Sequence, residues 1–158
     1  MNILVLCTGN SARSILLEAI LNAKGSGRLT AYSAGSAPAG QVHPQSLTLL
    51  KTLGYDTSQA RSKSWDEFSS PDAPKMDIVI TVCSAAASET CPIWPGAPIR
   101  ANWAIDDPAA ADEKDWSSAF QTAYSLLEAR ADAFLALPLE TKPVSELTQD
   151  LKRIGDQA

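Results

Sequence analysis

The feature that most constrains this chain is its alternation of short apolar runs with stretches of helical spacing. Residues 2–6, Asn-Ile-Leu-Val-Leu, are a β-rich run with no polar face, as in a strand covered on both sides. The small polar segment 7–13 reads as a loop. A helix follows from Ser14 as cap, with Leu16, Leu17, Ile20 and Leu21 on one stripe and Gly25 and Gly27 stopping it. A second strand runs over residues 29–33 and ends at Gly35 and Pro38. Pro44 starts a helix carrying Leu47, Leu50 and Leu53, with Gly54 at its end, and a short helix is expected over residues 64–68. Residues 76–82 and 99–105 give a third and a fourth strand, separated by a loop that Pro92, Pro95 and Pro98 keep irregular. Trp116, Phe120, Tyr124, Leu127 and Ala131 mark a long helix, and Val144, Leu147, Leu151 and Ile154 a final amphipathic one. The order β-α-β-α-β-β-α-α predicts an α/β fold: a four-stranded parallel sheet flanked by helices. With 158 residues and no linker, one domain over 1–158 is expected, with 141–158 as a C-terminal helical extension.

Charge narrows the function. The net charge of −5 argues against nucleic acid, because phosphate contacts need Lys and Arg. Yet residues 1–63 hold six Lys/Arg against two Asp/Glu, which suits a small anionic ligand. No apolar run is long enough for a bilayer and the first residues lack a signal peptide's pattern, so a cytoplasmic protein with no membrane partner is expected. Three cysteines, Cys7, Cys83 and Cys91, do not make a secreted disulfide framework, and a single His leaves a zinc site unsupported; no metal and no cofactor is expected. These cysteines are either buried hydrophobes or reactive thiols.

The sharpest motif is Cys7-Thr8-Gly9-Asn10-Ser11-Ala12-Arg13-Ser14. It joins a strand end to a helix start, where backbone N–H groups can converge on a tetrahedral oxyanion. Gly9 permits close approach, and Arg13 can grip two oxygens with its planar fork. Asn10 can hold the loop's shape. Cys7 in this positive field is expected to have a depressed pKa and to be a thiolate near neutrality, able to attack phosphorus or arsenic. Ser14 could steady that thiolate.

The motif resembles the loop of low-molecular-weight tyrosine phosphatases and of the arsenate reductases that share their fold. Tyr32-Ser33-Ala34-Gly35 and Asp106-Asp107-Pro108 extend the resemblance over most of the chain. It implies a phosphatase-like four-stranded sheet, Cys7 as nucleophile, residues 8–14 as the anion loop, and Asp107, before a proline, as the acid that protonates the leaving oxygen. Reduction of arsenate needs two further electrons, which a disulfide supplies. Cys83 closes the third strand on the sheet edge that carries Cys7, and Cys91 follows in a segment of small residues. Here the chain is similar to thioredoxin-coupled arsenate reductases, which implies a Cys7/Cys83/Cys91 relay, arsenate as substrate with phosphate or sulfate competing, and thioredoxin or a glutaredoxin-type reductant as partner. The alternative is a phosphatase hydrolysing phosphoesters through a Cys7 phospho-enzyme. A non-catalytic oxyanion sensor would need neither nucleophile nor acid.

The chain departs from the pattern in three places. Cys83 and Cys91 are eight residues apart where about seven is expected from the resemblance. Ala109-Ala110-Ala111 stands where phosphatases of this fold carry tyrosines. In some relatives the positions of Asn10, Glu18 and Ser33, with an Asp, hold potassium; Lys63 falls at that Asp, so its ammonium is expected to take the cation's place. Trp65, Trp94 and Trp103 are expected in the core more than in a site, and His43 at a turn or cap.

Overall fold

The computed structural model describes residues 1–83, 94 and 97–157. Strand β1 (Asn2–Cys7) leads into helix α1 (Arg13–Lys24), and β2 (Thr30–Gly35) into α2 (Pro44–Thr52). Strands β3 (Ile78–Thr81) and β4 (Ile99–Asn102) follow, then helices α3 (Trp116–Leu135) and α4 (Val144–Gly155). Short 3-10 turns lie at Trp65–Phe68, Pro108–Ala110 and Glu113–Asp115. The strands form a parallel sheet in the order β2-β1-β3-β4, so β1 is internal.

Alternation along β1 explains its unbroken apolar run. Ile3, Val5 and Cys7 join one core with Leu16, Ile20, Phe120 and Leu151. Leu4 and Leu6 face the other way, against Phe68, Met76, Val79 and Trp94. Both faces are covered, so the buried positions 3–7 are all apolar, and only Asn2 at the strand's start is polar. The stripe expected on α4 packs inward through Leu147, Leu151 and Ile154, while Val144 stays 68% exposed. Burial of each of the three contributes roughly 1.5–3 kcal/mol. The outer edge of β2 is covered by the Asn22 amide, which donates to the Ala31 carbonyl (3.0 Å) and accepts the Ala31 N–H (2.8 Å).

Two expectations need correction. Helix α1 begins at Arg13, not Ser14, and no side chain caps it. Ser14 is fully buried in the first turn, where its hydroxyl accepts from Asn10 Nδ2 at 2.8 Å. The run 99–105 stops being a strand at Asn102, although the Trp103 and Ile105 N–H groups still donate to Thr81 (2.7 Å) and Val82 (3.2 Å). Lys63 is 8% exposed, in keeping with the cation's place expected for its ammonium. Other signals hold. His43 caps α2, its Nδ1 accepting from the Gln45 N–H at 3.0 Å, with Pro44 in the first turn. Trp103 is fully buried, and Trp94 lies buried beside Trp65. Among the described residues no helix is long and apolar enough to cross a membrane.

Candidate active site

Parallel strands end on one side of the sheet, and the candidate residues gather there. Cys7 is the last residue of β1, paired in register with Gly35 of β2; Leu6 pairs with Thr81 of β3, two residues before Cys83. The loop after Cys7 is held by its carbonyls. Thr8 O accepts from Ala37 N–H (3.0 Å), Gly9 O from Ala39 N–H (2.9 Å) and Ser62 Oγ (3.0 Å), and Ser11 O from His43 N–H (3.0 Å) and Ser46 Oγ (2.9 Å). With the carbonyls bound outward, the N–H groups of Gly9 to Arg13 have no protein acceptor among the described residues. Such a concavity of open amides at a helix start is an anion cradle.

Asn10 is the loop's pivot. It is fully buried at a left-handed φ of 47°, a conformation Asn tolerates better than most residues. Its Nδ2 donates to Ser14 Oγ and its Oδ1 accepts the Lys63 N–H at 2.9 Å. The Lys63 ammonium sits beneath, donating to Ser33 Oγ (3.3 Å) and Arg61 O (3.1 Å), with Glu18 at 3.8 Å. Burial pushes the Lys63 pKa down and the Glu18 pKa up, and each group's charge opposes the other's shift.

Arg13 is aimed from behind. Its Nη1 donates to the Ile105 carbonyl at 2.9 Å, and Nη2 lies 3.7 Å from the half-exposed Asp107 carboxylate. Its Nε–H is buried and has no acceptor among the described residues. An unmet donor on a buried guanidinium is costly unless a ligand oxygen completes it. Asp107 also accepts the Ala109 N–H at 3.0 Å, so it caps its own 3-10 turn while facing Arg13. Beside it lies a hollow of about 230 Å³ lined by Pro108, Ala119, Ala123 and Leu126, with no aromatic side chain among the described residues that line it.

Cys7 and Cys83 are both buried and neither is in a disulfide, and Thr8 Oγ1, on the residue after Cys7, lies 3.7 Å from Cys83 Sγ. This overturns the expected thiolate. The Cys83 hydrogen bond, then burial, push the Cys7 thiol well above its ordinary pKa; Arg13 and the Thr8 N–H pull it down but are outweighed. Cys83→Ala therefore should move the pH profile of Cys7 alkylation by iodoacetamide to lower pH, read by peptide mass spectrometry. An unmoved profile would contradict the assigned cause. Cys91 lies outside the described residues. Gly35 was legible as a strand end, but not as a contact of the loop: a Cβ there would meet Thr8 O at 2.4 Å and Cys7 O at 2.9 Å.

Residues 2–152 match the family model described as low molecular weight phosphotyrosine protein phosphatase. An arsenate reductase of Halalkalibacterium halodurans is 36% identical over 115 residues, covering 71% of this chain and 79% of that one. The solved thioredoxin-dependent arsenate reductase of Corynebacterium glutamicum aligns with a TM-score of 0.61 at 24% identity, over 83% of this chain and 58% of that longer chain. A tyrosine phosphatase of Erwinia amylovora aligns with a TM-score of 0.65 at 23% identity, over 83% of this chain and 88% of its own. At these identities the two structures speak for the fold alone.

Proposed function

The chain belongs to the low molecular weight phosphotyrosine protein phosphatase family, and on that premise we propose that it reduces arsenate to arsenite by successive attacks of Cys7, Cys83 and Cys91. The observation that carries this reading is a second buried thiol, Cys83, at the strand edge that bears Cys7 and 3.7 Å from Thr8 Oγ1: phosphoester hydrolysis has no use for a second thiol there, whereas reduction needs one.

The steps balance. Arsenate binds to the open loop amides and the free Arg13 Nε–H. Cys7 gives up its proton and its Sγ attacks arsenic; one hydroxyl of arsenate leaves as water, taking a proton through Asp107, so that the proton lost by the thiol is the one gained by the water. Cys83 Sγ then attacks Cys7 Sγ. The sulfur–arsenic bond breaks with its electron pair on arsenic, which departs as arsenite, reduced by two electrons, while the two sulfurs become a disulfide. Cys91 attacks Cys83, releasing the Cys7 thiolate and leaving a Cys83–Cys91 disulfide. A dithiol protein of the thioredoxin or glutaredoxin class reduces it.

A phosphatase is the second reading, favoured by Asp107 directly before Pro108 and facing Arg13. The alanine-lined hollow gives a phosphotyrosine ring little to stack on.

The test is NADPH oxidation with arsenate, thioredoxin and thioredoxin reductase, each omitted in turn. Oxidation that needs every component supports the reading. No oxidation, even with glutathione and glutaredoxin substituted, removes it and leaves the phosphatase. Because Lys63 brings its own cation beneath the loop, the rate should be equal in sodium and potassium buffers; a potassium requirement would contradict that role for Lys63.

A further inference from the structure

Arg130 is a buried cation that the chemistry above does not use. It projects from α3, is 7% exposed, and pairs with no carboxylate among the described residues. Burial lowers its pKa, as expected for a guanidinium taken from water without a counter-charge. Such a group is costly in a core and needs a reason to be there.

Its donors supply the reason. Nη1 donates to the carbonyls of Trp103 (2.8 Å) and Ala104 (3.4 Å), and Nη2 to that of Gln157 (2.9 Å). One planar fork thus joins the turn after β4 to the segment after α4, which no lysine or neutral side chain could do with the same geometry. The same turn is gripped twice more by α4. Trp103 Nε1 donates to Leu151 O at 3.0 Å, and Gly155 packs so closely that a Cβ would lie 2.4 Å from Asn102 O and 2.7 Å from Trp103 Cδ1. The next residue, Ile105, offers the carbonyl that holds Arg13 Nη1, and Asp107 follows two positions later.

We propose that Arg130 is a positioning residue for the anion loop: by fixing the Trp103 and Ala104 carbonyls it sets the Ile105 carbonyl that aims Arg13, and through Gln157 it makes α4 part of that support. The proposal rests on the reading that Arg13 grips the oxyanion. It gives the C-terminal helix a task beyond covering the sheet. Loss of Arg130 frees the turn, and Arg13 loses the fixed back contact that holds its guanidinium in place.

The test titrates inorganic phosphate into 15N-labelled protein and follows the Arg13 Nε–H resonance, with melting temperature measured in parallel. In the parent protein phosphate shifts that resonance. Arg130→Met should weaken phosphate binding about tenfold, the scale of one hydrogen bond to a charged group, and should displace the Arg13 resonance before any phosphate is added. Arg130→Lys, which keeps the charge and one donor direction, should recover part of the loss. Gly25→Ala is the control: its Cβ would meet Leu21 O at 2.7 Å at the far end of α1, so it should lower the melting temperature and leave phosphate affinity alone. Unchanged affinity in Arg130→Met, or an equal loss in Gly25→Ala, overturns the proposal. Should Arg130→Met fail to fold, Arg130→Lys and Trp103→Phe, which removes the Leu151 hydrogen bond together with part of a buried ring, carry the test. Parent affinity and an unmoved Arg13 resonance in both overturn it. A parent protein whose Arg13 resonance ignores phosphate overturns the reading of Arg13 itself, and this proposal with it.

Discussion

Cys7→Ser protein should lose arsenate reduction and phosphoester cleavage together, each by about 10³-fold or more, while still binding phosphate. The substitution changes one atom in a buried position and leaves the cradle intact. The outward-bound loop carbonyls, the Asn10–Ser14 contact and the free Arg13 Nε–H do not depend on the sulfur. A serine hydroxyl is a far weaker nucleophile than a thiolate and forms no disulfide, so chemistry should fail where binding persists. The check is both rates beside a phosphate titration on one preparation. Turnover above about a hundredth of the parent rate in either assay would remove Cys7 from the nucleophile's role.

Gly35→Ala should have the next largest effect, although Gly35 touches no substrate. Its added Cβ would stand 2.4 Å from Thr8 O, 2.9 Å from Cys7 O and 3.1 Å from Asn10 N. All three are backbone atoms of the loop, so no flexible side chain can absorb the clash. The end of β2 is itself pinned, since the Gly35 N–H donates to Lys63 O at 2.9 Å and Gly35 bridges Ser64. The loop must therefore move. Overpacking of this kind costs about 1–3 kcal/mol of stability, and displacing a reacting group by about 1 Å can cost on the order of 10²-fold in rate. We expect a lowered melting temperature and a rate loss of that order. A variant with parent activity would mean that the loop tolerates a shifted β2, contrary to the geometry described.

These two sites differ in how far the sequence reveals them. Cys7 announces itself by its place between an apolar strand and a loop with Gly, Asn and Arg. The strands are legible because both faces of the sheet are covered, so each internal strand is a simple apolar run. The outcome at Cys7 is less legible. Local motif chemistry counts Arg13 and the amides, but not the thiol that β3 brings from 76 residues away, and that thiol dominates the Cys7 pKa. Ser14 shows the same limit: a serine before an apolar stripe reads as a cap, yet Asn10 claims its hydroxyl. Lys63 finds its place beside Glu18 and Ser33 only through the family resemblance, and nothing adjacent in sequence shows that the carbonyls of Trp103 and Gln157 close around Arg130. Gly35 carries a signal, a glycine at a strand end, without saying which backbone it meets.

The central claim is that Cys83 completes reduction on an adduct that Cys7 begins. The most direct measurement compares parent and Cys83→Ser protein in two assays: steady-state arsenate reduction coupled to thioredoxin and NADPH, and hydrolysis of an aryl phosphate. Cys83→Ser should stop multi-turnover reduction and leave phosphate-ester hydrolysis at or above the parent rate. Full arsenate turnover in the variant would contradict it.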